Sequence, residues 1–211
     1  MTFDDITAAA GVVHLSPVGG LHDGNSTIVL LAPKEPGFWA YVTARPEFTM
    51  HKSDPLDRWS QWAVTGLAYV LGAEPVFPFT GPPFHPFYTW ALEAGVAHAS
   101  PVGFLVSQEA GLLVSYRGAL RFEGRLELPT QPDSPCITCA AQPCLTACPV
   151  GALTSAGYDV DTCKAHIDES PSCAAACAVR MACPASQGYP RDPRQTAFHM
   201  AAFHTPQPKD A

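Results

Sequence analysis

Apolar residues form short runs and helically spaced stripes in the first part of the chain. The run Thr27-Ile28-Val29-Leu30-Leu31 is rich in β-branched residues and lies between Gly24-Asn25 and Pro33, which predicts a buried strand. A helix is predicted to begin after an N-cap at Asp54, with Pro55 at its first position, and to end at Gly72. The expected core face of this helix comprises Trp59, Trp62, Ala63, Leu67, Val70 and Leu71.

Two further apolar runs flank a polar turn. Residues Val102 to Val106 and Leu112 to Tyr116 lie on either side of Gln108-Glu109-Ala110-Gly111, a pattern typical of a β-hairpin. A helix among short strands predicts an α+β fold for this part of the chain.

Composition and a proline-rich segment divide the chain into two predicted domains. The 211 residues are 47% hydrophobic and 15% charged, which favours a packed core, and 22 prolines are about twice the usual share of ~5%. Residues Pro129 to Pro135 contain three prolines and read as a stiff linker. We therefore expect an α+β domain at residues 1–130, for which a nitroreductase-like fold is one candidate. A small, loop-rich ferredoxin-like domain is expected at residues 131–211.

Charge and hydropathy predict where the protein is located and which partners it lacks. The first residues, Met1-Thr2-Phe3-Asp4-Asp5, are acidic where a signal peptide would be basic, and no apolar run approaches the ~18 residues of a membrane span. A cytoplasmic protein without a membrane partner is expected. The formal net charge of −7 predicts that nucleic acid is not a partner. No Walker loop, G-x-G-x-x-G or G-x-S-x-G motif is present, so those motifs indicate neither nucleotide binding nor serine hydrolysis.

All eight cysteines lie between Cys136 and Cys183. The first group is Cys136-x2-Cys139-x4-Cys144-x3-Cys148-Pro149, and the second is Cys163-x9-Cys173-x3-Cys177-x5-Cys183-Pro184. Bacterial two-cluster ferredoxins use runs of the form C-x2-C-x2-C-x3-C-P, in which the fourth cysteine ligates the other cluster. The first group has two extra residues before its third cysteine. The spacing predicts two [4Fe–4S] clusters.

The same pattern predicts a crossed partition of the ligands. Three closely spaced cysteines can bind three irons of one cubane, so the fourth iron takes its ligand from elsewhere in the chain. One cluster is expected on Cys136, Cys139, Cys144 and Cys183. The other is expected on Cys148, Cys163, Cys173 and Cys177.

Structural zinc and disulfides are the alternatives for these cysteines. Zinc sites often use two C-x2-C pairs, and only Cys136-x2-Cys139 has that form here. Disulfides are uncommon in the reducing compartment that we expect. Alanines dominate the segment and large apolar side chains are few, so a bound inorganic group would supply much of the core.

From about Ser100 to Ser186 the chain resembles the epoxyqueuosine reductase family. The resemblance rests on the segments Cys144 to Leu153 and Tyr158 to Cys163, which look like that family's first cluster motif and the stretch with its fifth cysteine. Upstream, Val102 to Val106 and Gly111 to Val114 resemble the strands before its ferredoxin module. The resemblance implies a cobalamin-binding domain followed by a two-cluster ferredoxin module.

The chain also departs from that family. The segment Cys173-x3-Cys177-x5-Cys183 is longer than the family's second motif, and no helical-repeat region follows it. The family's catalytic aspartate is expected near residues 76–87, where this chain has no carboxylate. The sequence therefore identifies no catalytic residue.

Two functions are consistent with these features. In the first, the protein carries electrons between redox partner proteins, and the N-terminal domain at residues 1–130 binds those partners. In the second, it is a reductase whose clusters feed electrons to a corrinoid (cobalamin), a flavin or a small-molecule substrate in the N-terminal domain. Residues Val76 to Phe87 are rich in proline and phenylalanine and could form an apolar wall of that site. A rigid loop packed on the core is the favoured alternative for this segment.

Overall fold

A computed structural model of the chain describes residues 1–50 and 52–204 and shows a mixed α+β protein. Its helices are α1 (Phe3–Val12), α2 (Phe38–Thr43), α3 (Pro46–Thr49), α4 (Pro55–Leu71), α5 (Phe87–Glu93), α6 (Val160–Glu169), α7 (Pro171–Ala175), α8 (Ala178–Ala182), α9 (Pro184–Gln187) and α10 (Pro193–Phe203), with a 3₁₀ helix at Pro143–Leu145. Its strands are β1 (Leu15–Asp23), β2 (Ser26–Pro33), β3 (Glu74–Val76), β4 (His98–Ala99), β5 (Leu105–Val106), β6 (Gly118–Glu123), β7 (Leu153–Thr154) and β8 (Gly157–Tyr158).

The chain divides into two compact units. The first unit comprises residues 1–97 and 115–132, and the second comprises 98–114 together with the chain from residue 133 onward. The predicted boundary at residues 130 and 131 lies two residues from the later of these divisions. The prediction placed residues 98–114 in the first domain, although the resemblance described above begins at about Ser100. Residues 205–211 of the predicted second domain lie outside the described residues.

The first unit is built on an antiparallel sheet with the strand order β1-β2-β6-β3. Strand β2 is central and almost entirely buried, with Ile28, Val29, Leu30 and Leu31 fully inaccessible to solvent. This strand contains the predicted run from Thr27 to Leu31, so that prediction is confirmed. Apolar residues are tolerated at successive positions because both faces of the strand are covered.

Helix α4 confirms the predicted helix, but its buried face and its N-terminal cap differ from the prediction. Trp59, Ala63, Leu67 and Leu71 are buried, and Gly72 ends the helix with a φ of 65°. Trp62 and Val70, expected in the core, are 55% and 74% exposed, because the buried stripe turns toward Val64 and Ala68. Asp54 precedes the helix as predicted, but its side chain makes no capping hydrogen bond, and its φ of 51° is left-handed.

The second unit contains little regular sheet. Strands β4 and β5 pair, and strands β7 and β8 form a second short hairpin. Its core consists of the buried residues Val102, Val106, Leu112, Cys144, Leu153, Val179 and Cys183. Because two of these are cysteines and few of the others are large, the candidate ligands themselves form part of the core.

The predicted hairpin over residues 102–116 is wrong. Strand β5 pairs with β4, and residues 107–111 form a tight turn with one isolated bridge between Ser107 and Gly111. Leu112 does not continue a ladder, because its amide donates to Ser186 Oγ over 2.8 Å and its carbonyl accepts from the Arg180 guanidinium. Side chains distant in sequence take the place of a partner strand.

Among the described residues, none of the helices combines the length and the apolar character that crossing a bilayer would require.

Gly20→Ala is expected to destabilise the first unit, because the new Cβ would collide with the Ile28 carbonyl in the neighbouring strand. We expect a loss of about 1–3 kcal/mol in the free energy of unfolding. All four tryptophans lie in the first unit, so denaturant unfolding followed by tryptophan fluorescence reports on this unit.

The matched control is Gly66→Ala in α4, where an added Cβ meets nothing within 4 Å. This change is expected to stabilise the helix by about 0.5–1 kcal/mol. Equal effects of the two substitutions would contradict the packing described for β1 and β2.

Candidate functional site

One cavity of the second unit gathers four cysteines from both ends of the cysteine segment. Cys136 and Cys139 lie in a loop, Cys144 lies in the 3₁₀ helix, and Cys183 lies between α8 and α9. All four line the cavity. The other lining residues are mostly apolar or proline: Ser100, Pro101, Val106, Leu112, Pro135, Gln142, Pro143, Pro184 and Ala185. We call this the first thiol set.

The surroundings of the first thiol set favour the neutral thiol form of its cysteines. Burial raises the pKa of Cys144, and the neighbouring Cys136, Cys183 and Cys139 raise it further. Burial likewise raises the pKa of Cys136, although a hydrogen bond involving Ser134 opposes it. Among the described residues that line the cavity, none is cationic. Four thiolates could be accommodated there only with a cationic group that neutralises them.

The other four cysteines form a second thiol set. Cys163 lies on α6, Cys173 lies on α7, and Cys177 immediately precedes α8. Burial raises the pKa of Cys163, and Cys177, Cys148 and Cys173 all raise it further. Cys163 therefore lies within electrostatic range of the other three thiols.

Backbone amides prepare Cys148 to be a thiolate. Burial alone would raise its pKa, but hydrogen bonds from the amides of Leu153, Val150, Ala152 and Gly151 outweigh it, and the pKa falls below its ordinary value. Pro149 and Gly151, whose φ is 64°, turn the chain sharply after the cysteine. A thiolate is the form that ligates metal.

Two polar side chains at the second thiol set were not singled out from the sequence. Tyr158 donates a hydrogen bond from its hydroxyl to Cys163 Sγ over 3.3 Å. Arg180 lies on α8, and its guanidinium carbon is 4.5 Å from the centre of the Phe104 ring. Burial lowers the pKa of Arg180, while the nearby Cys177 and Tyr158 oppose that fall by favouring its charged form. The available signal was that Arg180 is the sole charged residue from Cys173 to Cys183.

The thiol sets are suited to a polynuclear group. Within residues 1–50 and 52–204, no three His, Cys, Asp or Glu side chains converge in a way that would hold a single metal ion. A cubane of four irons and four sulfides is far larger than one ion, so its four thiolates are spread more widely. Thiols in sets of four fit such a group, and so does the largely apolar lining of the first thiol set. The role of the eight cysteines as cluster ligands stays a prediction.

Comparison of the chain with protein-family models, with curated proteins and with solved structures found no match.

Ser186→Ala is expected to loosen the wall of the first thiol set. The change leaves the buried Leu112 amide without its acceptor, which costs about 1–3 kcal/mol. Hydrogen exchange of the anaerobically purified protein should show faster exchange across residues 98–114. Ser155→Ala alters an exposed serine in the turn between β7 and β8 and should leave that exchange unchanged. Equal protection in the two variants would show that the Ser186 hydroxyl does not hold this segment.

Proposed function

We propose that this protein carries two [4Fe–4S] clusters and acts in electron transfer between redox partner proteins. The observation that supports the proposal best is the arrangement of eight cysteines as two sets of four in one small unit. A ferredoxin-type character of the second domain is part of the proposal. The bound clusters would supply one-electron chemistry.

The residues of the second unit have separate tasks in this proposal. Cys136, Cys139, Cys144 and Cys183 would ligate one cluster, and Cys148, Cys163, Cys173 and Cys177 the other. The apolar walls, including Val106 and Leu112, exclude water from the first thiol set. The amides after Cys148 and the hydroxyl of Tyr158 donate hydrogen bonds to ligand sulfurs, which orients the thiolates.

Anaerobically prepared protein is expected to contain about eight irons and eight acid-labile sulfides per chain, because two complete cubanes need four of each. Iron and sulfide assays on the same sample measure this. About two zinc ions per chain without labile sulfide would instead indicate two structural zinc sites and end the proposal.

Single cysteine variants are expected to lose the cluster that their thiol set would hold, so variants distant in sequence should lose the same cluster. Cys183→Ala should damage the same cluster as Cys136→Ala, although the two positions lie far apart in the chain, because both line one cavity. Cys148→Ala should damage the same cluster as Cys173→Ala. EPR spectra of the reduced variants distinguish the two signals, and losses that pair by proximity in sequence would refute the crossed arrangement.

The reductase function stays the alternative proposal. It requires the first unit to hold a corrinoid, a flavin or a small substrate, and a nitroreductase-like fold of that unit belongs to it. In the proposed wall, Phe77 and Phe79 stack with ring centres 5.3 Å apart, and Phe84 is 62% exposed. Mutual stacking serves packing as well as a ligand wall, so these contacts favour neither function.

Binding measurements separate the two functions. The reduced, anaerobic protein is titrated with hydroxocobalamin and, separately, with flavin nucleotides. Saturable spectral changes at micromolar concentration would favour the reductase. Intact clusters without any such change would favour the electron carrier.

A further inference from the structure

The two thiol sets differ in their electrostatic surroundings. The first set lies in a cavity whose described lining residues include no cation. The second set has the Arg180 guanidinium beside Cys177 and the Tyr158 hydroxyl on Cys163. Both sets consist of four cysteines, so the contrast lies in the groups that surround the ligands.

Two contacts hold the Arg180 guanidinium group in place. It donates to the carbonyl of Leu112 and stacks over the ring of Phe104, which in turn packs edge-on against Tyr158 with ring centres 5.6 Å apart. Arg180 is the third residue of α8, and Cys177, the residue just before that helix, lies close enough to favour its charged form. An arginine keeps its charge in proteins, so this is a fixed positive charge.

A fixed cation and a hydrogen-bond donor both affect how readily a cluster accepts an electron. Reduction adds one negative charge, which a nearby positive charge stabilises strongly where water is largely excluded. Hydrogen bonds to the sulfurs stabilise the reduced state in the same direction. Neither group changes the number or type of ligands.

We propose that Arg180 and Tyr158 make the second thiol set the site of higher reduction potential, so that an electron shared between the two clusters resides on Cys148, Cys163, Cys173 and Cys177. This inference rests on the proposed function. Passage of the electron oxidises the first site and reduces the second by one electron each, with no bond made or broken. Arg180 and Tyr158 act through the ligands and are positioning residues.

The test is an anaerobic redox titration followed by EPR on the full chain. Wild-type protein should show two separate one-electron steps. In Arg180→Met the higher step should move down, with the equilibrium constant for reduction at that site falling about tenfold, or about 59 mV for one electron. The lower step should stay in place.

Three further variants keep the test decisive if Arg180→Met fails to assemble. Tyr158→Phe removes only the hydroxyl and should move the higher step down by a smaller amount. Arg180→Lys retains the charge and should keep the higher step near its original position. Arg194→Met removes the same formal charge from an exposed arginine paired with Asp192 and should move neither step.

Two results would overturn the inference while leaving the proposed function intact. One is a shift of the lower step in Arg180→Met or Tyr158→Phe, and the other is a pair of steps unchanged in both variants. A wild-type protein with no reducible cluster would instead overturn the proposed function, and the inference with it.

Discussion

The second unit depends on how the backbone of Leu112 is satisfied. Its amide donates to Ser186 and its carbonyl accepts from Arg180, so both groups are paired with side chains at or just after the end of the cysteine segment. A buried peptide without such partners would be strongly unfavourable. These two bonds attach residues 98–114 to α8 and α9 and thereby close the apolar wall behind the first thiol set. The bond to Leu112 also fixes the position of the Arg180 guanidinium, whose charged form the nearby Cys177 favours.

Local sequence patterns predicted the elements whose structure depends on local contacts. The apolar run at Thr27 to Leu31 predicted β2, and helical spacing predicted α4, because periodicity directly reflects which positions face a core. The failures lie where distant groups intervene. Trp62 and Val70 were assigned to the core because they lie on the apolar stripe of α4. The sequence does not show how much of that stripe the neighbouring elements cover. The hairpin after Val102 was wrong because the partners of Leu112 lie about seventy residues later.

The candidate site likewise combines features that the sequence predicted with features that it did not. Cysteine spacing predicted that Cys183 belongs with Cys136, and the two line one cavity; the role of the eight cysteines as ligands stays a prediction. The spacing could not identify Tyr158 and Arg180 as groups beside those cysteines, because a hydroxyl on a short hairpin and one arginine in a short helix carry no periodic signal. Nor could it show that residues 98–114, the run before the cysteines, supply part of the wall around the first thiol set.

The chain passes between the two thiol sets at short intervals, and this has a consequence for cluster insertion. Cys144 and Cys148 belong to different sets although they are four residues apart, and the five-residue helix α8 separates Cys177 from Cys183. Fixing one set therefore restrains the backbone that delivers ligands to the other. If the two sets hold clusters as we propose, binding of one cluster would order the backbone around the site of the second, and half-loaded chains would be scarce during maturation. A cell short of iron would then hold fully loaded and empty molecules rather than a population with one cluster each.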